Sequence, residues 1–168
     1  GVPGRGESPI EEGAIEEPSS AYGQSKAAQS RLALNYALER NLDLIRLRLF
    51  NTLGPGQSAS LVGGAMVDRL RRAFHEKRSS VDVHDPDSRR DFLDIRDAAR
   101  LMWIVATRLE GLAQGRLIHI ASGRATSIRE LAEDLLDASG LAEQIWLNPI
   151  PGISSSTVYG AIPTLKKL

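Results

Sequence analysis

Apolar and polar residues follow two different periods along this chain, one typical of helices and one typical of strands. A helical pattern runs over residues 22–40 and ends at Asn41, a residue type that tolerates a left-handed helix cap. Leu and Ile alternate with Arg over residues 43–50, which predicts a strand. Further helices are predicted over 61–77 and 95–109, short extended segments at 81–84, 91–94, 116–121 and 144–147, and loops over 1–20 and 51–60.

The most fully specified helix follows Ser127. Ser127 and Glu130 have the S-x-x-E spacing of a capping box, in which each side chain satisfies a backbone amide of the first turn. An apolar stripe of helical spacing follows, and Gly140 lies where a C-terminal cap belongs. Helices that alternate with strands predict an α/β fold with at least partly parallel strand pairing.

Length and composition narrow the classes of protein. The 168 residues correspond to one domain. The 21 Lys and Arg balance the 21 Asp and Glu, so the zero net charge argues against general binding to nucleic acid or to an anionic membrane. The chain has no cysteine, which excludes disulfides and thiol chemistry, and its three histidines lack metal-ligand spacing. A cytoplasmic location, without metal or membrane, is the expectation.

The candidate chemistry lies at the start of the first helix, in the segment Y-G-Q-S-K. Tyr22 and Lys26 are four residues apart and therefore lie on one helix face. An ammonium near a phenol stabilises the phenolate, which suits Tyr22 to give or take a proton at an alcohol or ketone oxygen. The plainer alternative is a surface helix with a packed tyrosine and a solvated lysine.

Four motifs in order resemble the extended short-chain dehydrogenase/reductase family, also called NAD-dependent epimerases/dehydratases. They are A-Y-G-Q-S-K-A-A at 21–28, R-L-F-N-T-L-G-P-G-Q at 48–57, R-D-F-L-D-I-R-D at 90–97 and A-S-G-R-A-T-S-I-R-E-L at 121–131. Within the family, the segments A-Y-G-Q-S-K-A-A-Q and G-P-G-Q are most similar to those of reductases and 4,6-dehydratases of GDP-linked deoxysugars. The resemblance implies the C-terminal part of a Rossmann-like doubly wound sheet with a small substrate-binding lobe.

The resemblance also implies roles for individual residues. Tyr22 would be the catalytic acid/base, and Lys26 would activate it and contact the ribose of NAD or NADP. The other implied contacts are Phe50 beside the nicotinamide, Asn51 at the sugar or phosphate, Arg90 at the diphosphate, and Gln57 and Arg124 at the nucleotide end. Three alternatives stay open: Asn51 as a turn residue, Arg90 with Arg89 as a solvated pair, and Phe50 as a core residue.

The family's Gly-rich dinucleotide turn is missing from the sequence. We therefore expect residues 1–168 to form one partial domain that lacks the N-terminal dinucleotide-binding half. The implied reaction is reduction of a 4-keto-6-deoxy nucleotide sugar, with 4-epimerisation, 4,6-dehydration or a non-catalytic binding module as alternatives. The chain alone is expected to be inactive, and to form a homodimer or to self-associate through its uncovered surfaces. Leu101 and Trp103 are expected in the core, and His119 as a satisfied core or near-surface residue.

Overall fold

The structure is a computed structural model that describes residues 8–108, 114–153 and 155–168. Helices and strands alternate along these ranges, as the pattern of the sequence predicts. The elements are α1 (Ala21–Arg40), β1 (Arg46–Leu49), β2 (Asn51–Leu53), α2 (Val62–His75), β3 (Ser80–His84), β4 (Arg89–Arg90), β5 (Phe92–Asp94), α3 (Ile95–Thr107), β6 (Leu117–Ile120), β7 (Thr126–Ser127), α4 (Ile128–Ser139), β8 (Trp146–Ile150), β9 (Thr157–Val158) and a 3₁₀ turn (Leu165–Lys167). Within the described ranges, no helix is both long and apolar enough to cross a membrane.

Helix α1 has the predicted ends. The Ser20 hydroxyl caps its start by accepting the Gly23 N–H at 3.1 Å, and Asn41 ends it in the left-handed conformation at φ 51°. The side that faces the domain is a narrow stripe of mostly small residues, of which only Ala37 is fully buried. The Arg46 guanidinium crosses from β1 to the Ser30 hydroxyl of this stripe at 3.0 Å. Most of the helix surface is therefore exposed.

Strand β1 is shorter than the predicted strand over 43–50, because its pairing partner β6 begins only at Leu117. The two strands run parallel, with Arg46 opposite Leu117 and Leu49 opposite Ile120. Their apolar side chains form one core with α3, made of Ala98, Val105, Ile118 and Ile120 and the partly buried residues packed on them.

The expected loop over 51–60 is partly wrong, and a further strand is present that the pattern does not predict. Its first residues form β2, which pairs in parallel with β5 so that Asn51 lies opposite Phe92. Strand β4, which the pattern does not predict, lies between antiparallel β7 and parallel β9. These strands are two or three residues long and depend on partners far along the chain, so no local period marks them.

A second core lies between α2, α4, β3 and β8. Its buried residues are Met66, Leu70, Ala73, Val81, Val83, Ile128, Ala132, Leu136 and Ile145. The predicted capping box of α4 is confirmed: the Ser127 hydroxyl accepts the Glu130 N–H at 3.0 Å, and the Glu130 carboxylate accepts the Ser127 N–H at 2.6 Å. This backbone bond is the main cause that lowers the pKa of Glu130. Gly140 ends α4 at φ 72°, as predicted.

The expected core position of Trp103 is wrong. The side chain of Trp103 is 71% exposed, whereas Leu101 packs against the core with Ala98 and Val105. Residues 101 and 103 point in nearly opposite directions around a helix of 3.6 residues per turn, so α3 can bury only one of them against the sheet. The predicted end of α3 at Leu109 lies outside the described residues, and the structure has the helix end at Thr107.

Candidate active site

The first turn of α1 brings Tyr22 and Lys26 together. The Lys26 ammonium lies 5.9 Å from the centroid of the Tyr22 ring, and it donates a hydrogen bond to the Gln29 side chain at 3.0 Å. Tyr22 is 74% exposed, so its phenol is open to a ligand. The geometry therefore has a phenol and a cation side by side on an accessible helix face. The plainer alternative, a surface helix with a tyrosine and a solvated lysine, stays open, since both side chains are exposed.

Phe50 lies directly after β1, where the chain leaves the pairing with β6. Its ring meets the His119 ring edge-on, with the centroids 5.1 Å apart, and a Cβ placed on Gly160 would come within 2.8 Å of the Phe50 ring. Because a side chain at position 160 would clash with the Phe50 ring, this packing requires glycine there. Phe50 has the environment of a half-buried packing residue, and its contact with a nicotinamide stays a prediction.

His119 is fully buried on β6 beside this ring. Its Nδ1 lies 3.0 Å from the Ala161 carbonyl oxygen, which can only accept, so the proton belongs on Nδ1. Burial lowers the pKa of His119 below its ordinary value of 6.5, with the Arg48 cation as a smaller cause in the same direction. His119 is thus a satisfied, neutral core histidine.

Asn51 and Gln57 are both held by the backbone. The Asn51 amide donates to the Asp91 carbonyl at 3.0 Å, which fixes its side chain at the start of β2 while leaving the residue exposed. The Gln57 amide donates to the Thr52 carbonyl at 2.6 Å, and its oxygen accepts the Gly64 N–H at 3.2 Å. Gln57 therefore ties the loop to the start of α2, and a contact to nucleotide would require it to exchange these bonds.

The interpretation of Arg89 and Arg90 as a solvated pair is wrong. Both residues are half-buried on β4. The Arg90 guanidinium donates to the Ser156 carbonyl at 2.7 Å and to the Ser156 hydroxyl at 2.9 Å, while Arg89 binds the Ala125 carbonyl at 2.8 Å and the Glu130 carboxylate at 3.1 Å. These hydrogen bonds fix the orientation of the Arg90 guanidinium. The N–H groups of Arg90 that they do not use remain available to an anion.

Asp91 is a residue whose role the sequence analysis missed. It is fully buried, and its carboxylate accepts the Ser122 N–H at 2.7 Å, the Ser122 hydroxyl at 2.8 Å, the Gly123 N–H at 3.0 Å and the Gly160 N–H at 3.3 Å. Its own carbonyl holds Asn51. The signal available in the sequence was an acidic residue placed between Arg90 and Phe92 in a predicted extended segment.

Asp91 therefore joins the segments that carry three predicted substrate contacts. Arg90 precedes it, Asn51 bonds to its backbone, and the turn 122–124 that carries Arg124 is bonded to its carboxylate. The Arg124 guanidinium itself is exposed and makes no hydrogen bond within the described residues. The structure thus connects the segments that carry Asn51, Arg90 and Arg124 through Asp91, while Tyr22 and Lys26 lie on α1.

The α/β fold with mostly parallel strand pairing and the accessible Tyr–Lys pair are compatible with the dehydrogenase/reductase class that the sequence motifs indicate. The model of the NAD dependent epimerase/dehydratase family matches residues 1–121. This chain belongs to that family.

Several relatives share this family. The chain is 31% identical over 144 residues to GDP-6-deoxy-D-mannose reductase of Pseudomonas aeruginosa, which covers 84% of this chain and 46% of the relative. It is 35% identical over 126 residues to dTDP-L-rhamnose 4-epimerase of Burkholderia thailandensis, which covers 75% of this chain and 34% of that enzyme. The chain therefore spans less than half the length of these curated relatives.

Solved structures confirm the Rossmann-like fold class. RMD from Pseudomonas aeruginosa complexed with NADPH matches with a TM-score of 0.80 and 29% identity, over 95% of this chain and 52% of that one. A UDP-galactose 4-epimerase matches with a TM-score of 0.78 over 99% of this chain and 52% of that one; at 20% identity, this likeness concerns the fold alone.

Proposed function

We propose that this chain is the substrate-binding and proton-transfer part of an NAD(P)H-dependent reductase that acts on a 4-keto-6-deoxy nucleotide sugar. The observation that carries the proposal is the exposed Tyr22 phenol with the Lys26 ammonium 5.9 Å from its ring. The 31% identity to a GDP-6-deoxy-D-mannose reductase and the likeness to a structure complexed with NADPH support the same class of reaction.

The residues of α1 fit one end of a nicotinamide cofactor. A phenol and an ammonium on one accessible face can meet the reacting oxygen and the ribose hydroxyls, respectively. Bound NADH or NADPH would supply the hydride for carbon 4 of the sugar. As the C–O double bond opens, Tyr22 gives its proton to the oxygen, the product is an alcohol, and the phenolate left on Tyr22 is stabilised by Lys26.

The proposed substrate contacts lie on elements other than α1. Arg90, with its direction fixed by Ser156, is suited to a diphosphate because a guanidinium forms charge-assisted hydrogen bonds with phosphate oxygens. Asn51 is held by the Asp91 carbonyl and would contact the sugar or phosphate, and Arg124, on the turn bonded to the Asp91 carboxylate, would contact the nucleotide end. Gln57 is a weaker candidate, since both ends of its amide already have backbone partners.

The test uses a full-length chimera in which this chain replaces the matched part of the Pseudomonas aeruginosa reductase. We expect the chimera to oxidise NADPH with a GDP-linked 4-keto-6-deoxy sugar, and Tyr22→Phe to reduce kcat by at least about a hundredfold, the lower end of what positioned acid/base catalysis contributes. Tyr36→Phe is the matched control, because Tyr36 is an exposed tyrosine of the same helix. NADPH binding by each chimera reports that it has folded.

The chain by itself should show no turnover and no micromolar affinity for reduced nicotinamide. A chimera that binds NADPH and the sugar yet reduces nothing would refute the proposed reduction. Interconversion of sugar epimers would instead identify a 4-epimerase, which the 35% identity to dTDP-L-rhamnose 4-epimerase favours as the second candidate. Nucleotide-sugar binding without any conversion would leave only a binding module.

A further inference from the structure

Two arginines of β1 contact α1 and the segment that leads into it. Leu47 of this strand packs on the core with α3, and Arg46 and Arg48 lie on the opposite face, because successive side chains of a strand alternate in direction. The Arg46 guanidinium donates to the Ser30 hydroxyl in the body of α1 at 3.0 Å. The Arg48 guanidinium forms an ion pair with Glu16, a few residues before the helix begins. Strand β1 therefore holds α1 at two places.

The Arg48 guanidinium is itself held from the neighbouring strand. Arg48 and His119 are opposite each other in the parallel pairing of β1 with β6. The His119 Nδ1 donates to the Ala161 carbonyl, so its Nε2 is an acceptor, and an Arg48 N–H nitrogen lies 3.5 Å from it. The side chains of Arg48 and Glu16 are 20% and 31% exposed. Their ion pair is therefore partly shielded from water and is screened less than a surface pair.

Among the described residues, this ion pair is the last side-chain contact between the sheet and the chain before α1. An earlier contact is that of Glu12, which accepts the backbone N–H of His119 at 3.2 Å. Beyond Glu16, three residues lead to the helix cap at Ser20, and their side chains make no hydrogen bond or ion pair with any described residue. Pro18 stiffens this link, because its ring fixes its own φ and restricts the residue before it. The position of Glu16 is thus passed on to the first turn of α1.

We propose that Arg48 is a positioning residue for the Tyr22 phenol and acts by holding Glu16 at the start of α1. The inference rests on the proposed function, because it assumes that Tyr22 transfers the proton. Tyr22 lies in the first turn of the helix and is 74% exposed, so its own side chain has few contacts that hold it. Its place relative to a bound sugar is therefore set by where the helix begins. For a catalytic group, a displacement of about 1 Å can cost about a hundredfold in rate.

This role predicts a change in kcat and not in KM. The proposed substrate contacts are Asn51, Arg90 and Arg124, which lie on elements other than α1. The side-chain partner of Glu16 within the described residues is Arg48, so Glu16 makes no bond to any of these contacts. Removal of the Glu16 carboxylate should therefore leave binding of the nucleotide sugar in place and slow the proton transfer, the pattern of an interaction that acts on the chemical step.

The test uses the full-length chimera of this chain with the Pseudomonas aeruginosa reductase, with NADPH binding as the report that each variant folds. Glu16→Ala should lower kcat by about tenfold to a hundredfold and change KM for the sugar by less than about twofold. Glu16→Gln should recover part of the loss, because its amide keeps an oxygen acceptor for the Arg48 N–H. Arg48→Ala combined with Glu16→Ala should be no slower than Arg48→Ala alone, since both variants remove the same contact. Glu17→Ala is the matched control, because Glu17 is an exposed carboxylate of the same link.

Amide hydrogen exchange in the same chimeras gives a readout that needs no turnover. The Gly23 N–H bonds to the Ser20 hydroxyl at 3.1 Å and the Gln24 N–H to the Ser20 carbonyl at 2.9 Å. Glu16→Ala should speed the exchange of these two amides, whereas Glu17→Ala should not.

Unchanged exchange at these amides would overturn the positioning role. So would an active chimera in which Glu16→Ala leaves kcat unchanged, or in which KM rises as much as kcat falls. A parent chimera that binds NADPH and reduces no sugar would refute the proposed function instead, and the exchange rates would then still decide whether the ion pair of Arg48 and Glu16 holds the start of α1.

Discussion

Replacement of Asp91 by Asn tests the polar centre of the candidate site. The amide keeps the size of the carboxylate but turns one acceptor oxygen into a donor. If the NH₂ group takes the place of Oδ2, it faces the N–H groups of Gly123 and Gly160; if it takes the place of Oδ1, the Ser122 N–H loses its acceptor while the Ser122 hydroxyl can rotate to accept. The second orientation is the less costly one.

The expected loss in the free energy of unfolding is worked out for this second orientation of the introduced amide, with its NH₂ group in the place of Oδ1. One buried N–H without an acceptor costs about 1–3 kcal/mol, and the remaining bonds lose the contribution of the charge, so we expect a loss of about 2–4 kcal/mol in the free energy of unfolding. Because small domains have only about 5–15 kcal/mol of stability, this loss is readily measured.

Urea denaturation followed by circular dichroism provides the measurement. Asp94→Asn is the control, because Asp94 caps α3 by accepting the Arg96 N–H at 2.8 Å and Asn caps helices equally well. Asp94→Asn also weakens an exposed ion pair with Arg96, which contributes little. A loss below about 0.5 kcal/mol for Asp91→Asn, the range of ordinary surface changes, would refute the role of Asp91 as the organising carboxylate.

Three further predictions follow from other contacts. Ser127→Ala should reduce the free energy of unfolding by about 1 kcal/mol through loss of the α4 cap, as measured by urea denaturation. Burial keeps folded His119 neutral while the unfolded ring takes a proton, so stability should fall as the pH drops below 6.5, by up to about 1.4 kcal/mol per pH unit; His119→Gln should flatten this part of the profile, whereas exposed His75→Gln should not. Sedimentation should show an average mass that rises with concentration, because α1 leaves apolar side chains exposed, and Leu32→Gln should lower it; a monomer at high concentration would contradict this.

The helices were predictable because their signals are local. Asn41 and Gly140 end α1 and α4 in left-handed conformations, and the capping box at Ser127 needs only four consecutive residues. Strands β2 and β4 were not predictable, since their partners are remote and their side chains are polar or charged at Asn51, Arg89 and Arg90. The exposure of Trp103 was also out of reach, because the pattern alone did not decide which face of α3 meets the sheet.

The residues of the candidate site also differ in how far their positions could be predicted from the sequence. Tyr22 and Lys26 are one helical turn apart, so their proximity follows from helix geometry alone. Asp91, by contrast, meets residues 31 and 69 positions away, and Arg90 meets Ser156 across 66 positions. Such contacts exist only after the sheets have formed, which is why the resemblance could assign a role to Arg90 but not the partners that fix its direction.

The contacts of the described residues position the proposed substrate-binding residues more firmly than they position Tyr22. The proposed substrate contacts Asn51, Arg90 and Arg124 lie on segments whose backbones are joined through Asp91. Helix α1 buries only Ala37 fully and leaves Tyr22 exposed, so few contacts fix the direction of the phenol. Under the proposed function, binding of a nucleotide sugar should therefore depend mainly on the segments joined by Asp91. The proposed proton transfer by Tyr22 depends in addition on how the phenol is positioned, so the chimera is the sharper test of catalysis and the chain itself the sharper test of substrate binding.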